Sequence, residues 1–256
     1  MKIFDLFEKN ENKTTETATV EAATEQPKQT EQTKQTETPL PEGTKRVHNL
    51  IILDESGSMI SIYDAALSGV NETLQTIRGA QKEHPNQQHF VSLITFDSSH
   101  YNSIYSNTPA EKAVDITKEQ YHPDACTPLY DAMGRAINEL RSHVEEEDVV
   151  LVTVITDGYE NASREFNCKT IRSLVEALKQ QGWVFTYIGA NQDVEAVAKS
   201  LSIDNHLAFE ADDVDTRRMF QKESYSRKRF FGKLDLCDMD RIEFSKNYFE
   251  EDDMLQ

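Results

Sequence analysis

Apolar residues along this chain follow two alternating patterns. Residues 47–53 form an almost unbroken apolar run, which is typical of a β-strand that is covered on both faces. In the segment that follows, Tyr63, Leu67, Val70, Leu74 and Ile77 recur at intervals of four and three. That spacing places them on one face of a helix, which we expect to end before Pro85. The chain therefore begins its structured part with a buried strand and an amphipathic helix.

The same alternation continues along the chain. Further strands are predicted at residues 89–96, 149–156, 183–189 and 207–209, with a short edge strand at 101–105. Further helices are predicted at 129–140, 171–178 (closed by Gly182), 194–201 and 212–225. Strands that alternate with helices indicate an α/β fold, a doubly wound and mostly parallel central sheet flanked by helices. We expect it to occupy residues 46–225.

The two ends of the chain have a different composition. Residues 1–45 are rich in Thr, Glu, Gln and Lys and poor in apolar residues, which predicts a disordered tether. Residues 226–256 show weak periodicity, with a basic run at Arg227, Lys228 and Arg229 and an acidic end. We interpret them as an extension of uncertain order, in which the basic run is either a docking element or without specific role.

Charge narrows the classes of partner. The 256 residues include 27 Lys and Arg against 45 Asp and Glu, a net charge of −18. Residues 46–209 hold 23 acidic and 12 basic residues, so most of the excess lies in the predicted domain. Such acidity argues against binding to nucleic acid or to an anionic membrane surface. No apolar run is long enough to span a bilayer and the first residues do not resemble a signal peptide, so we expect a soluble, cytoplasmic protein.

Hard oxygen donors follow three of the predicted strands and precede one helix. Asp54, Ser56 and Ser58 follow the first strand at alternate positions, Asp97 follows the second, and Asp157 follows the strand at 149–156. Thr127 precedes the helix at 129–140. Carboxylates and hydroxyls without nearby His or Cys suit a hard cation, Mg²⁺ first, with Mn²⁺ or Ca²⁺ as alternatives.

These positions resemble a known site. Asp54-x-Ser56-x-Ser58, the later Thr127 and Asp157 in a Thr-Asp-Gly turn are similar to the metal-ion-dependent adhesion site of von Willebrand factor type A (VWA) domains, in particular stand-alone bacterial members. The resemblance implies that Asp54, Ser56, Ser58, Thr127 and Asp157 hold Mg²⁺, and that a partner protein supplies a Glu or Asp to an open coordination position. It also implies a binding module without catalysis, whose intracellular partner is an AAA+ ATPase or a stress-response complex.

Other interpretations stay open at this stage. Asp54, Ser56 and Ser58 also suit a helix cap and turn, and the oxygens could form a metal-free scaffold. A Mg²⁺-dependent phosphohydrolase with Asp54 as nucleophile is a further alternative, although Ser56 stands where such enzymes carry a second Asp. Asp97 is either an acceptor for a metal-bound water or an ordinary turn residue. We expect Glu55 to point away from the site into solvent.

Overall fold

The computed structural model of the protein describes residues 43–236 and 247–249. Six strands lie in these ranges: β1 (Lys45–Asp54), β2 (Gln87–Phe96), β3 (Tyr101–Pro109), β4 (Val149–Thr156), β5 (Val184–Gly189) and β6 (Asn205–Ala208). Five α-helices accompany them: α1 (Tyr63–Glu83), α2 (Leu129–Arg141), α3 (Cys168–Lys179), α4 (Val194–Ser200) and α5 (Asp213–Leu234). None of the helices in the described ranges has both the length and the apolar character that crossing a membrane requires.

The strands form one sheet in the order β3-β2-β1-β4-β5-β6. Neighbouring strands are parallel except β3, which runs antiparallel to β2 at one edge. This arrangement confirms the predicted doubly wound, mostly parallel α/β fold. The strand order reverses between β1 and β4, so the carboxyl ends of these two strands border the crevice in which such sheets bind ligands.

Apolar packing covers both faces of the sheet. Ile51 and Leu53 of β1 pack with α1 and α5 on one face, and Leu50 and Ile52 pack with α2, α3 and α4 on the other. Successive side chains of a strand point to opposite faces, so a strand that is covered on both sides is apolar at nearly every position. This packing explains why residues 50–53 are all apolar in the sequence.

The last helix differs from its predicted extent. It was expected to end at residue 225, but α5 continues to Leu234, so the boundary drawn there falls inside a helix. Arg227 belongs to this helix and is completely buried, so the prediction of a basic run in an unstructured tail was wrong at this residue. Its guanidinium donates to Glu223 Oε1 at 2.8 Å, to Asn49 Oδ1 at 2.9 Å and to Thr153 Oγ1 at 2.8 Å.

A short C-terminal piece joins the same cluster. Tyr248 is buried, its hydroxyl donates to Glu223 Oε1 at 3.1 Å, and its backbone N–H donates to Asn205 Oδ1 at 3.0 Å. Residues 1–42, 237–246 and 250–256 are not among the described residues, so the prediction of a tether over residues 1–45 falls almost entirely outside them.

Candidate metal centre

The fold brings the ends of β1 and β4 together. Asp54 is the last residue of β1, Asp157 follows the last residue of β4, and the two strands are paired in parallel. Thr156 Oγ1 donates to Asp54 Oδ2 at 2.5 Å and so links the two strand ends directly. Residues from distant parts of the sequence therefore meet at the point where the strand order reverses.

The loop after β1 folds back on its own oxygens. The backbone N–H of Ser56 donates to Asp54 Oδ1 at 2.7 Å, and the hydroxyls of Ser56 and Ser58 lie 3.2 Å apart. Ser56 precedes the short 3-10 helix Gly57–Ile62, but its side chain makes no capping hydrogen bond. The alternative interpretation of this serine as a helix cap therefore lacks the bond that defines a cap.

Asp157 has one satisfied and one unsatisfied oxygen. Ser58 Oγ donates to Asp157 Oδ1 at 2.5 Å, whereas Asp157 Oδ2 is buried and has no hydrogen-bond partner among the described residues. Burial raises the pKa of this carboxyl above its ordinary value, and the Ser58 hydrogen bond opposes that shift. A buried carboxylate oxygen without a donor is costly in free energy, and a cation at this point would remove the cost.

Thr127 reaches the cluster from the loop before α2. A Cβ built on Gly158 would lie 3.5 Å from Ser58 Oγ and 3.8 Å from Thr127 Oγ1, so both hydroxyls border the same small space. The glycine thus leaves room beside two of the predicted ligands. The structure brings Asp54, Ser56, Ser58, Thr127 and Asp157 into one group, of which only Ser58 is exposed to solvent.

The two acidic residues of the group have no compensating positive charge within the described part of the chain. Burial raises the pKa of Asp54 to about 6, against the hydrogen bonds from Thr156 and Ser56, and the nearby Asp157 adds to the increase. Within the described part of the chain, neither carboxylate forms an ion pair with Lys, Arg or His. The site is therefore electrostatically incomplete in a way that a divalent cation would correct.

The chemistry of the donors fits a hard cation. Within residues 43–236 and 247–249, no three His, Cys, Asp or Glu side chains converge as a metal site. The group instead combines two carboxylates with three hydroxyls, the mixed oxygen set that suits Mg²⁺, Mn²⁺ or Ca²⁺ better than a soft metal. Five side-chain donors also leave at least one position of an octahedral ion for another oxygen.

Asp97 lies outside this group. Its carboxylate Oδ1 accepts hydrogen bonds from the backbone N–H groups of Ser99 at 2.5 Å and of His100 at 2.7 Å, and Oδ2 faces the His100 ring at 3.1 Å. These contacts are those of a turn residue, and the predicted contact with a metal-bound water stays a prediction. The neighbouring Ser98 ties the loop after β2 to the segment before α2, because it exchanges hydrogen bonds with Cys126, which precedes Thr127.

Glu55 was expected in solvent, but the structure buries it. Only 2% of the residue is exposed, and its carboxylate accepts hydrogen bonds from the backbone N–H of His122 and from Asn102 Nδ2 at 3.4 Å. The prediction failed because strand alternation was extended past the end of β1. Glu55 instead ties the loop after β1 to the segment that leads to Thr127.

Sequence reasoning also missed the residues that hold Thr127. Asn161 Oδ1 accepts from the Thr127 backbone N–H at 2.8 Å, and the Asn161 backbone N–H donates to the Thr127 carbonyl at 3.1 Å. Asp131, in the first turn of α2, accepts from three successive backbone N–H groups of residues 164–166. The run of Glu160, Asn161 and Ser163 was the available signal, since such side chains often bind backbone groups in loops.

Comparison with known sequences identifies one family. The family model described as von Willebrand factor type A domain matches residues 50–223, which include all five residues of the group and most of the sheet. No protein in the curated comparison matches this chain.

Several solved structures share the fold at low sequence identity. A mutant of the PilB minor pilin from Streptococcus sanguinis matches with a TM-score of 0.54 and 12% identity, covering 78% of this chain and 65% of that one. The vWF domain of the type V pili tip protein Mfa5 from Porphyromonas gingivalis matches with a TM-score of 0.52 and 10% identity, covering 77% and 98%. The pilus adhesin SpaC from Lactobacillus rhamnosus GG matches with a TM-score of 0.52 and 13% identity, covering 73% of this chain and 31% of that one. This chain thus spans less than two thirds of the pilin and the adhesin, and the likeness concerns the fold.

Proposed function

The chain belongs to the von Willebrand factor type A domain family, and from that premise we propose that it is a metal-dependent protein-interaction module. Asp54, Ser56, Ser58, Thr127 and Asp157 hold a divalent cation, Mg²⁺ first, with Mn²⁺ or Ca²⁺ as alternatives. The partner is a protein that offers a Glu or Asp side chain at the open coordination position. The observation that carries the proposal is the buried, unpartnered Asp157 Oδ2 beside a second uncompensated carboxylate.

Each residue of the group has a separate task. Asp54 and Asp157 supply negative charge at the ends of two adjacent strands, and their burial keeps that charge from being screened by water. Ser56, Ser58 and Thr127 supply neutral oxygens, which coordinate without adding further repulsion. When bound, Mg²⁺ provides an electrophilic position for an anionic oxygen. Ser58, as the exposed member, marks the side from which the partner approaches.

A binding role fits the position of Asp54 better than a nucleophilic one. Asp54 has no exposed surface, and its two carboxylate oxygens accept hydrogen bonds from the Ser56 backbone N–H and from Thr156 Oγ1. A nucleophile must reach an incoming phosphorus atom, and a general acid or base should stand nearby. Position 56 offers a serine for that second task. These features support a non-catalytic module over the Asp54 phosphohydrolase.

The proposed biological setting rests on features of the sequence. Residues 127–132 and 157–161 resemble stand-alone bacterial members, and this resemblance supports a bacterial origin and a cytoplasmic location. An AAA+ ATPase or a stress-response complex is the partner that this setting suggests. The net charge of −18 argues against nucleic acid or a membrane as the binding surface.

The first test is calorimetric titration of Mg²⁺ and Mn²⁺ into the full chain. We expect saturable binding that Asp54→Ala abolishes, because one of the two carboxylates is lost. Asp64→Ala is the matched control, since Asp64 is an exposed carboxylate of α1 that pairs with Lys118 at 2.9 Å and lies outside the group. Equal affinity of the wild type and Asp54→Ala would reject the site.

Two further measurements test the role of the bound metal. A partner protein captured on the full chain should dissociate when a chelator is added. Phosphatase turnover that is lost in Asp54→Asn would support the phosphohydrolase instead.

A further inference from the structure

The loop after β4 is attached to the beginning of α2 through side chains. Glu160 Oε2 accepts from the Tyr130 backbone N–H at 3.0 Å, and Ser163 Oγ accepts from the Asp131 backbone N–H at 3.1 Å. The first N–H groups of a helix have no partner inside it, so these bonds satisfy donors that would otherwise need water. The loop that carries Asp157 and the helix that follows Thr127 therefore form one hydrogen-bonded unit.

The same carboxylates also fix the shape of the loop. Glu160 Oε1 accepts from the backbone N–H groups of Ala162 at 2.9 Å and of Ser163 at 2.7 Å. Asp131 accepts from the backbone N–H groups of Arg164, Glu165 and Phe166 at 2.8–2.9 Å. Burial acts to raise the pKa of Asp131, but the three donors outweigh it and lower the pKa below its ordinary value. Both carboxylates are thus occupied in structure and are not available to a metal.

Asn161 is the member of this unit that touches a predicted ligand. Its side chain accepts from the Thr127 N–H and its own N–H donates to the Thr127 carbonyl, at 2.8 Å and 3.1 Å. The two bonds fix the backbone of Thr127 on both sides, as a neighbouring strand would. Thr127 is 3% exposed and its hydroxyl lies beside Gly158, so its position relative to Ser58 and Asp157 depends on this pair.

A fixed oxygen matters more to one cation than to another. Mg²⁺ requires nearly ideal octahedral geometry at roughly 2.0–2.1 Å, whereas Ca²⁺ accepts six to eight oxygens at roughly 2.3–2.6 Å in flexible arrangements. A site whose hydroxyl is held in place favours the smaller ion, and a site whose hydroxyl can move loses that preference. Residues that orient a ligand without touching the metal typically contribute about 10–100-fold in affinity.

We propose that Asn161 is a positioning residue that holds Thr127 and thereby makes the site prefer Mg²⁺ over Ca²⁺. This inference rests on the proposed function, since it concerns the same site. It adds a specificity-determining residue that lies outside the five predicted ligands. Glu160 and Asp131 contribute indirectly, because they fix the loop from which Asn161 contacts Thr127.

The test compares Mg²⁺ with Ca²⁺ in titrations of the full chain, with Asn161→Ala as the variant. We expect the dissociation constant for Mg²⁺ to increase about 10–100-fold and that for Ca²⁺ to increase less than about threefold. Asn161→Asp retains the side-chain acceptor and should restore the preference to within a few-fold of the wild type. Asn138→Ala is the matched control, because Asn138 is an exposed asparagine of α2 whose side chain accepts only from Arg141.

The outcomes separate the inference from the proposed function. A wild-type chain that binds neither cation rejects the proposed function and the inference with it. Binding by the wild type together with an unchanged Mg²⁺ affinity in Asn161→Ala overturns the inference alone. Equal losses for both cations overturn it too, since general loosening of the loop would not discriminate between ions. The inference is supported if Asn161→Ala loses the preference for Mg²⁺ over Ca²⁺ and Asn161→Asp restores it. Circular dichroism in chelator checks that each variant is folded.

Discussion

Two polar clusters bridge the same pair of central strands, and they differ in the source of their positive charge. The first, which we call the internal cluster, consists of Glu223 and Arg227 of α5 with Asn49 of β1 and Thr153 of β4. Its carboxylate also accepts from Thr73 and Tyr248. Every charge in it faces an opposite charge or a hydrogen-bond partner, and it is completely enclosed.

The second cluster lies at the carboxyl ends of the same strands. Asp54 and Asp157 are as well buried as Glu223, yet no guanidinium or ammonium in the described part of the chain pairs with either. One oxygen of Asp157 has no donor among the residues that the structure describes. The comparison teaches that this protein can enclose a carboxylate with its own cation where structure alone requires it. At Asp54 and Asp157, where no such internal cation is placed, the arrangement favours a cation from solution.

The largest expected effect comes from breaking the internal cluster. Arg227→Met should lower the free energy of unfolding by about 3–5 kcal/mol, because it leaves Glu223 buried without its counter-charge. Adding Glu223→Leu should recover most of that loss, since the uncompensated charge is then removed as well. Urea denaturation measures both variants, with the exposed neighbour Lys228→Met as the control. A single variant as stable as the wild type would mean that the cluster does not need its cation.

Addition of a cation should complete the second cluster. Mg²⁺ at about 100 times its dissociation constant should raise the free energy of unfolding by about 2.7 kcal/mol relative to chelator, because it binds the folded chain alone. Thermal unfolding at two Mg²⁺ concentrations measures the shift, which should vanish in Asp54→Ala. No shift in the wild type at saturating Mg²⁺ would remove the difference between the two clusters.

Acid should weaken the second cluster as a metal site. Burial raises the pKa of Asp54 to about 6 in the metal-free chain, so below that pH a proton competes with the cation for the carboxylate. We expect Mg²⁺ affinity to decrease by up to about tenfold per pH unit below pH 6 and to level off above it. Titrations between pH 5 and 7.5 test this, and an affinity that is independent of pH in that range would contradict it.

The same pKa sets the sign of the pH effect on the metal-free fold. A carboxyl group with a raised pKa binds its proton more tightly in the folded chain than in the unfolded one. Its stabilising contribution is therefore present at low pH and is lost as pH rises from about 4 to about 6. Denaturation in chelator over that range should show this loss in the wild type, and Asp54→Asn should lack it.

The smallest effect concerns the unpartnered oxygen itself. In chelator, Asp157→Asn should raise the free energy of unfolding by about 1 kcal/mol, because it removes a buried charged oxygen that has no donor among the described residues. The same variant should bind Mg²⁺ much more weakly. Asp97→Asn is the control, since the Asp97 carboxylate already has two backbone N–H donors and its replacement should bring no gain. A loss of stability in Asp157→Asn would show that the charge is compensated in some other way.

Much of this arrangement could be predicted from the sequence, and the exceptions have physical reasons. The nearly continuous apolar run of β1 identified a strand covered on both faces, and Asp54, Ser56 and Ser58 follow at alternate positions from its end. The end of α5 was missed because the helix buries polar side chains. Glu223, Ser226 and Arg227 interrupt the apolar pattern, although each faces the interior. Partners 74 and 178 residues away in the sequence determine the burial of Arg227, and no local pattern contains that information.

The residues that hold the predicted ligands in place could not be predicted from the sequence for a similar reason. Asn161 and Thr127 are 34 residues apart, and their pairing depends on backbone atoms that every residue carries. Spacing and residue type can propose which side chains bind a metal, because coordination chemistry restricts them. They cannot propose which loop holds a ligand in place, because many polar residues can accept a bond from a backbone N–H.

The pairing of β1 with β4 also has a consequence for the order of folding. Ser58 and Asp157 are 99 residues apart in the sequence, and Asp54 and Thr156 are 102 apart. Closing so long a loop is slow, so we expect the two halves of the sheet to join only after much of each has formed. A cation that binds between the ends of β1 and β4 then stabilises the sheet only after the rate-limiting step of folding. We therefore expect Mg²⁺ to slow unfolding while leaving the folding rate nearly unchanged.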